Sequence, residues 1–157
     1  MIMRKNRRNN FLVVMMLLLI QSAAYPLSGN GVCRIEINDK DGKPVSLQVE
    51  IADTDPLRMK GLMDRKKMSW NRGMLFVFDS VAKQNFWMKN TYIPLSIAYI
   101  SKNGTINEIY DMKPLDISVT YPSTRPVGYA LEVNRGWFEK NNITRGCIMV
   151  FHGCVSK

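Results

Sequence analysis

Five polar side chains in this 157-residue chain stand beside large apolar neighbours: Arg65, Lys89, Asn90, Thr91 and Glu132. Arg65 follows Leu62-Met63, Lys89 and Asn90 follow Trp87-Met88, and Glu132 interrupts a β-like run. A charge set against packed apolar residues must be paired or must face a cleft, because an unpaired buried charge is costly. Two chemistries fit. Glu132 pairs with Arg65 or Lys89 while Asn90 satisfies turn backbone. Alternatively, Arg65, Lys89, Asn90, Thr91 and Glu132 line a polar cleft for a small anionic or hydroxyl-rich molecule. In a catalytic version Glu132 would be the acid/base and Lys89 or Arg65 would stabilise charge.

Soft ligands form a second set. Met63, Met74 and Met88 could hold Cu(I) as thioethers, although methionine more often fills core gaps. Adjacent Trp87 and Met88 would point to opposite faces of a strand, which separates them. His152 is the sole histidine, so a site with two or three His ligands from one chain is excluded. His152 with Cys147 and Cys154 spells C-x4-H-x-C, a metal pattern only if the thiols stay reduced. Cys147 and Cys154 are close enough in sequence for a local disulfide, and Cys33 could pair with either. There is no G-x-S-x-G elbow, no phosphate-binding glycine loop and no C-x-x-C. Trp70, Trp87 and Trp137 are candidates for a sugar-stacking platform or for core and rim aromatics. No cofactor is implied, and no residue is singled out as catalytic by motif.

The elements that must position these groups are mostly strands. Val32–Asn38 and Val45–Ile51 alternate about the turn Asp39-Lys40-Asp41-Gly42 and predict a half-buried hairpin. Asp53-Thr54-Asp55-Pro56 predicts a capped helix start, with the helix ending near Met63. Gly73–Phe78 reads as a buried strand. Asn85–Met88 and Leu95–Ser101 read as strands flanking Pro94, and Asn103-Gly104 as the hairpin turn into Thr105–Tyr110. Residues 111–126, with three prolines, predict a long loop. Gly128–Val133 is a strand, Asn134–Phe138 a turn or short helix, and Cys147–Phe151 a closing strand. The sum is a mostly β domain, a compact sandwich or small barrel of about eight strands with one or two short helices.

The first 24 residues read as a signal peptide. Arg4, Lys5, Arg7 and Arg8 precede the apolar run Phe11–Ile20, and Ser22-Ala23-Ala24 supply small residues for cleavage. Ten apolar residues span about 15 Å as a helix, half of a ~30 Å hydrocarbon core. An exported chain is therefore expected, periplasmic or secreted, touching membrane only through this segment if it stays uncleaved. The whole chain carries 22 Lys+Arg against 13 Asp+Glu, and the leader holds four of those cations, so residues 25–157 carry +5. Those charges are interspersed, which disfavours a nucleic-acid groove. Residues 25–44 supply the first strand and turn, 45–151 the main domain, and 152–157 a tail.

Three stretches carry a family resemblance: Gly61-Leu62-Met63-Asp64-Arg65 before Gly73–Phe78, then Phe86-Trp87-Met88-Lys89-Asn90-Thr91-Tyr92-Ile93-Pro94-Leu95, and finally Leu131–Trp137 with Ile143–Gly146. In that order and spacing the chain resembles the family called domain of unknown function 192, over about residues 45–151. The resemblance implies a compact β domain, commonly exported, and no reaction. The chain departs from the family pattern at Ser96 and Cys147, where the family usually carries Asp. The resulting expectation is an exported, non-enzymatic ligand-binding or accessory module of the cell envelope, with a small molecule or envelope component as partner and no nucleic acid. An envelope enzyme using Glu132 and a Cu(I) binder using the methionines are the alternatives.

Overall fold

The structure, a computed structural model, describes residues 32–153. The expected leader lies outside the described residues. In chain order the elements are β1 (Val32–Asn38), β2 (Pro44–Ala52), α1 (Asp55–Lys60), β3 (Arg72–Ala82), β4 (Asn85–Phe86) and β5 (Leu95–Ile100). They continue with β6 (Ile106–Met112), β7 (Tyr121–Pro122), β8 (Val127–Asn134), α2 (Trp137–Lys140) and β9 (Ile148–Val150). The mostly β expectation holds, with nine strands and two short helices among the described residues.

Seven strands form one curled sheet in the order β6-β5-β8-β3-β2-β1-β9. All neighbours are antiparallel except β2 and β3, which run parallel. A parallel pair needs a crossover; here residues 53–71, including α1, make it. The sheet's edges meet: Thr105 bridges to Ile148, the Ile106 N–H donates to the Cys147 carbonyl at 2.9 Å, and the Met149 N–H to the Gly104 carbonyl at 2.8 Å. Edge contact of this kind removes the open ladder that would template aggregation. Gly104 makes the approach possible. Its φ is +90°, and a Cβ there would lie 2.4 Å from the Met149 carbonyl oxygen.

Alternation sorts the side chains into two cores. The inner face packs Ile35, Ile37, Leu47, Val49, Leu75 and Leu131 around Trp137. The outer face packs Met74, Phe76, Leu95, Ile97, Tyr99 and Ala130 under Leu62, Met88 and Ile93 of the connecting segments. β8 is buried on both faces, as a central strand should be.

Three expectations need correction. Residues 111–126 are not all loop, because β6 runs on to Met112 and Tyr121–Pro122 pairs with β4. Pairing with a partner distant in sequence decides that short strand. Thr54 is the N-cap of α1 but makes no side-chain cap bond, and the helix ends at Lys60. Arg58 fixes the helix instead, donating to the Asp53 and Val77 carbonyls at 2.7 Å each and to Asp55 and Asp79 at 2.7 and 2.8 Å. Of the pairings left open among the three cysteines, those that use Cys147 are not made, for Cys147 is a buried free thiol whose Sγ accepts the Thr144 N–H at 3.3 Å.

Candidate functional site

Glu132 occupies the middle of β8, directly between Met74 of β3 and Ile97 of β5 in register. Strand alternation places it on the outer face with Ala130, while Leu131 and Val133 enter the inner core. The crossover and the 86–94 segment cover that face, so Glu132 is only 5% exposed, and it is the one buried charged residue among those described. No side chain or backbone group among the described residues hydrogen-bonds or ion-pairs with its carboxyl. Burial alone pushes the Glu132 carboxyl from the ordinary 4.5 up to about 8, so it is neutral at pH 7. Burial first, then the nearby charges of Glu132 and Glu108, raise the Tyr99 phenol as well.

The carboxyl lies at a cleft of about 420 Å³ between α1, β3 and the 84–91 segment. That size is in the range of small-molecule sites. Phe76, Phe78, Phe86 and Trp87 supply aromatic lining. Phe86 is the hub, edge-on to Phe76 at 4.8 Å, to Phe78 at 6.5 Å and to Tyr99 at 5.9 Å between centroids. Trp87 remains 49% exposed at the rim while its neighbour Met88 is fully buried, although the strand expected over Asn85–Met88 ends at Phe86. Gly61 brings the end of α1 close to the floor, since a Cβ there would touch Phe76 at 3.4 Å. Gln84 and Asn85 add side-chain amides to the lining.

Of the five polar residues singled out from the sequence, the cleft unites two, Glu132 and Thr91. Thr91 is buried and its hydroxyl donates to the Lys89 carbonyl at 3.2 Å. Arg65 instead forms a bidentate pair with Glu50, at 2.5 and 2.6 Å. That hydrogen-bonded pairing, with its attraction, lowers Glu50 and raises Arg65 against partial burial. Lys89 is exposed, with Nζ 5.2 Å from the Trp87 ring centroid. Asn90 is exposed in a left-handed turn, φ 53°, and its carbonyl accepts the Asp64 N–H at 2.8 Å. The expected pairing of Glu132 with Arg65 or Lys89 is therefore corrected: Arg65 has its own carboxylate, and Glu132 has none of these cations.

Sequence reasoning missed Arg58, Phe78, Phe86, Gln84 and Asn85. Phe76 and Phe78 were findable, because alternate positions on β3 share the face of Glu132's neighbour Met74. The others come from segments whose return to that face no local pattern records. Met74 and Met88 belong to the outer core, whereas Met63 lines the cleft. Trp137 is buried in the inner core and Trp70 lies under Lys140, 5.1 Å from Nζ, so the three tryptophans form no common platform. His152 Nε2 sits 2.8 Å from Glu36 Oε2 on β1.

A wider groove of about 660 Å³ runs past Ser96 and Asp111. Its polar groups already hold one another. Ser96 donates to Asp111 at 2.6 Å and accepts the Gly136 N–H at 3.1 Å, while Arg135 pairs with Asp111 at 3.1 Å. At Ser96 and at Cys147 the side chain accepts a backbone N–H of a turn, from Gly136 and from Thr144 respectively.

Comparison with other proteins agrees with this architecture. A family model described as "Uncharacterized ACR" matches residues 36–151. A crystal structure of a "putative transcription regulator" from Sinorhizobium meliloti 1021 is similar at 33% identity and TM-score 0.74, covering 76% of this chain and 92% of that one. A protein of unknown function from Novosphingobium aromaticivorans is similar at 28% identity and TM-score 0.73, covering 82% and 91%. No curated protein matches the chain.

Proposed function

The chain belongs to the domain of unknown function 192 family, and from that premise we propose that it is a ligand-binding module whose ligand sits in the cleft over Glu132. One observation carries the reading. The molecule keeps a buried carboxyl with no partner among the described residues at an open, aromatic-lined cleft. A purely structural position of that kind would be filled more stably by an apolar residue. The ligand supplies the missing partner, and Trp87 at the rim supplies contact area. A catalytic reading uses the same group, because a carboxylic acid neutral at pH 7 has the protonation state of a general acid.

Export is part of the proposal, supported by the basic and apolar leader. So is a disulfide between Cys33 and Cys154. Cys147 is buried away as a free thiol. Native mass spectrometry of protein purified without chelator tests the main reading. A co-purifying mass that Trp87→Ala releases, with thermal stability kept, is the expected result. Bare protein that no envelope or metabolite extract stabilises against heat would return the cleft to a structural role.

A further inference from the structure

We infer that the cleft over Glu132 recognises an organic cation, an alkylated ammonium group carried on a small apolar body. The inference rests on the ligand-binding reading and names the class of ligand. The two cations that line the cleft, Arg58 and Lys60, and also Arg65 are already committed to other carboxylates, and Lys89 lies toward the Trp87 ring, 5.2 Å from its centroid. Arg58 is held by Asp55 and Asp79, Lys60 by Asp64, and Arg65 by Glu50. The counter-charge position of Glu132 is thus filled by none of the described residues and is open to a ligand. The lining completes the argument. Phe76, Phe78, Phe86 and Trp87 present aromatic surface there, and ring quadrupoles attract a cation. An anion could accept the neutral acid's proton in a hydrogen bond but would be repelled by the ring faces, and a hydrocarbon would leave the carboxyl unpartnered. A neutral oxygen could accept the carboxyl's proton in a hydrogen bond, but it would gain nothing from the rings. A cation alone gains from both.

Binding then requires Glu132 to give up its proton to solvent. The other titratable or charged groups toward the cleft are Asp55, Arg58 and Lys60 on α1 and Tyr99 on β5. Arg58 and Tyr99 are both shifted upward and keep their protons throughout the neutral range. Glu132 therefore dominates the pH dependence. With its carboxyl at about 8 in the free protein, the ionised fraction, and with it the affinity, rises roughly 50-fold from pH 6 to 8 and less than about twofold from pH 8 to 9.

The test is calorimetric titration of the purified protein with choline, whose charge does not change with pH, and with its uncharged isostere 3,3-dimethylbutan-1-ol. Choline is expected to bind at least tenfold more tightly than the alcohol at pH 8.5, with the pH profile above. Glu132→Gln should abolish both the preference and the profile while the protein still melts cooperatively. Equal binding of choline and the alcohol would overturn the cation inference and leave the cleft a ligand site. Binding of neither, or choline binding flat with pH, would also overturn it. The co-purifying mass then decides the wider reading separately.

Discussion

Glu132→Gln should make the protein more stable, and increasingly so as the pH rises. In the unfolded chain Glu132 titrates near 4.5, whereas in the folded protein burial holds its proton until about pH 8. Between those values the unfolded state releases a proton that the folded state retains. Stability attributable to this group is therefore full below about pH 4.5, falls as pH rises, and levels above about 8. One pH unit is worth about 1.4 kcal/mol, so at pH 7 the cost is on the order of 3 kcal/mol, a large share of a small domain's 5–15. Glutamine keeps the shape of the neutral acid and cannot ionise. Urea denaturation of both proteins at pH 4, 5, 6, 7 and 8 reads the difference. The other titrating groups cancel, because they are common to the pair. The midpoint gap should be small at pH 4 and grow to roughly 1–3 M at pH 7 for ordinary urea slopes. A gap that stays constant with pH, or narrows, would refute the account of Glu132 as a buried, unpartnered acid. A growing gap would also strengthen the functional reading, since a chain that retains so costly a group has a use for it.

Other expectations separate core from site and fold from edge. Trp137→Ala should cost about 3–5 kcal/mol and Trp87→Ala less than about 1 kcal/mol, because the first ring is fully buried and the second half-exposed; urea midpoints check both. Gly104→Ala should cost about 1–3 kcal/mol and speed hydrogen exchange at the Ile106 and Met149 amides, whose bonds join the sheet's edges. Arg65→Ala should remove more stability at pH 7 than at pH 3. The Arg65 pair lowers Glu50 in the folded state, so that contribution is present above 4.5 and disappears as pH falls through the folded value. Cys147 should resist thiol reagents until the protein is unfolded, as a buried thiol does.

The sequence by itself determined the elements. Period-two alternation in Val32–Asn38 and Pro44–Ala52 is a property of neighbouring residues, and a strand with one wet face must show it. Asn103-Gly104 specified its hairpin because only a residue without Cβ takes that turn at no cost. The mostly β class followed, and Glu132 stood out as a candidate, since a carboxylate inside an apolar run is conspicuous in one dimension.

Partners were decided only by the tertiary structure. Glu50 reaches Arg65 across fifteen positions and Arg58 reaches Val77 and Asp79 across about twenty, and nothing local ranks those pairings above Glu132 with Lys89. β7 exists because β4 lies beside it. The cleft exists because a parallel β2–β3 connection obliges residues 53–71 to cross the outer face of the sheet. That crossing buries Glu132 beneath aromatic side chains from separate segments. A residue's charge is written in the chain, but whether the charge is paired depends on which surfaces meet, and long-range packing settles that.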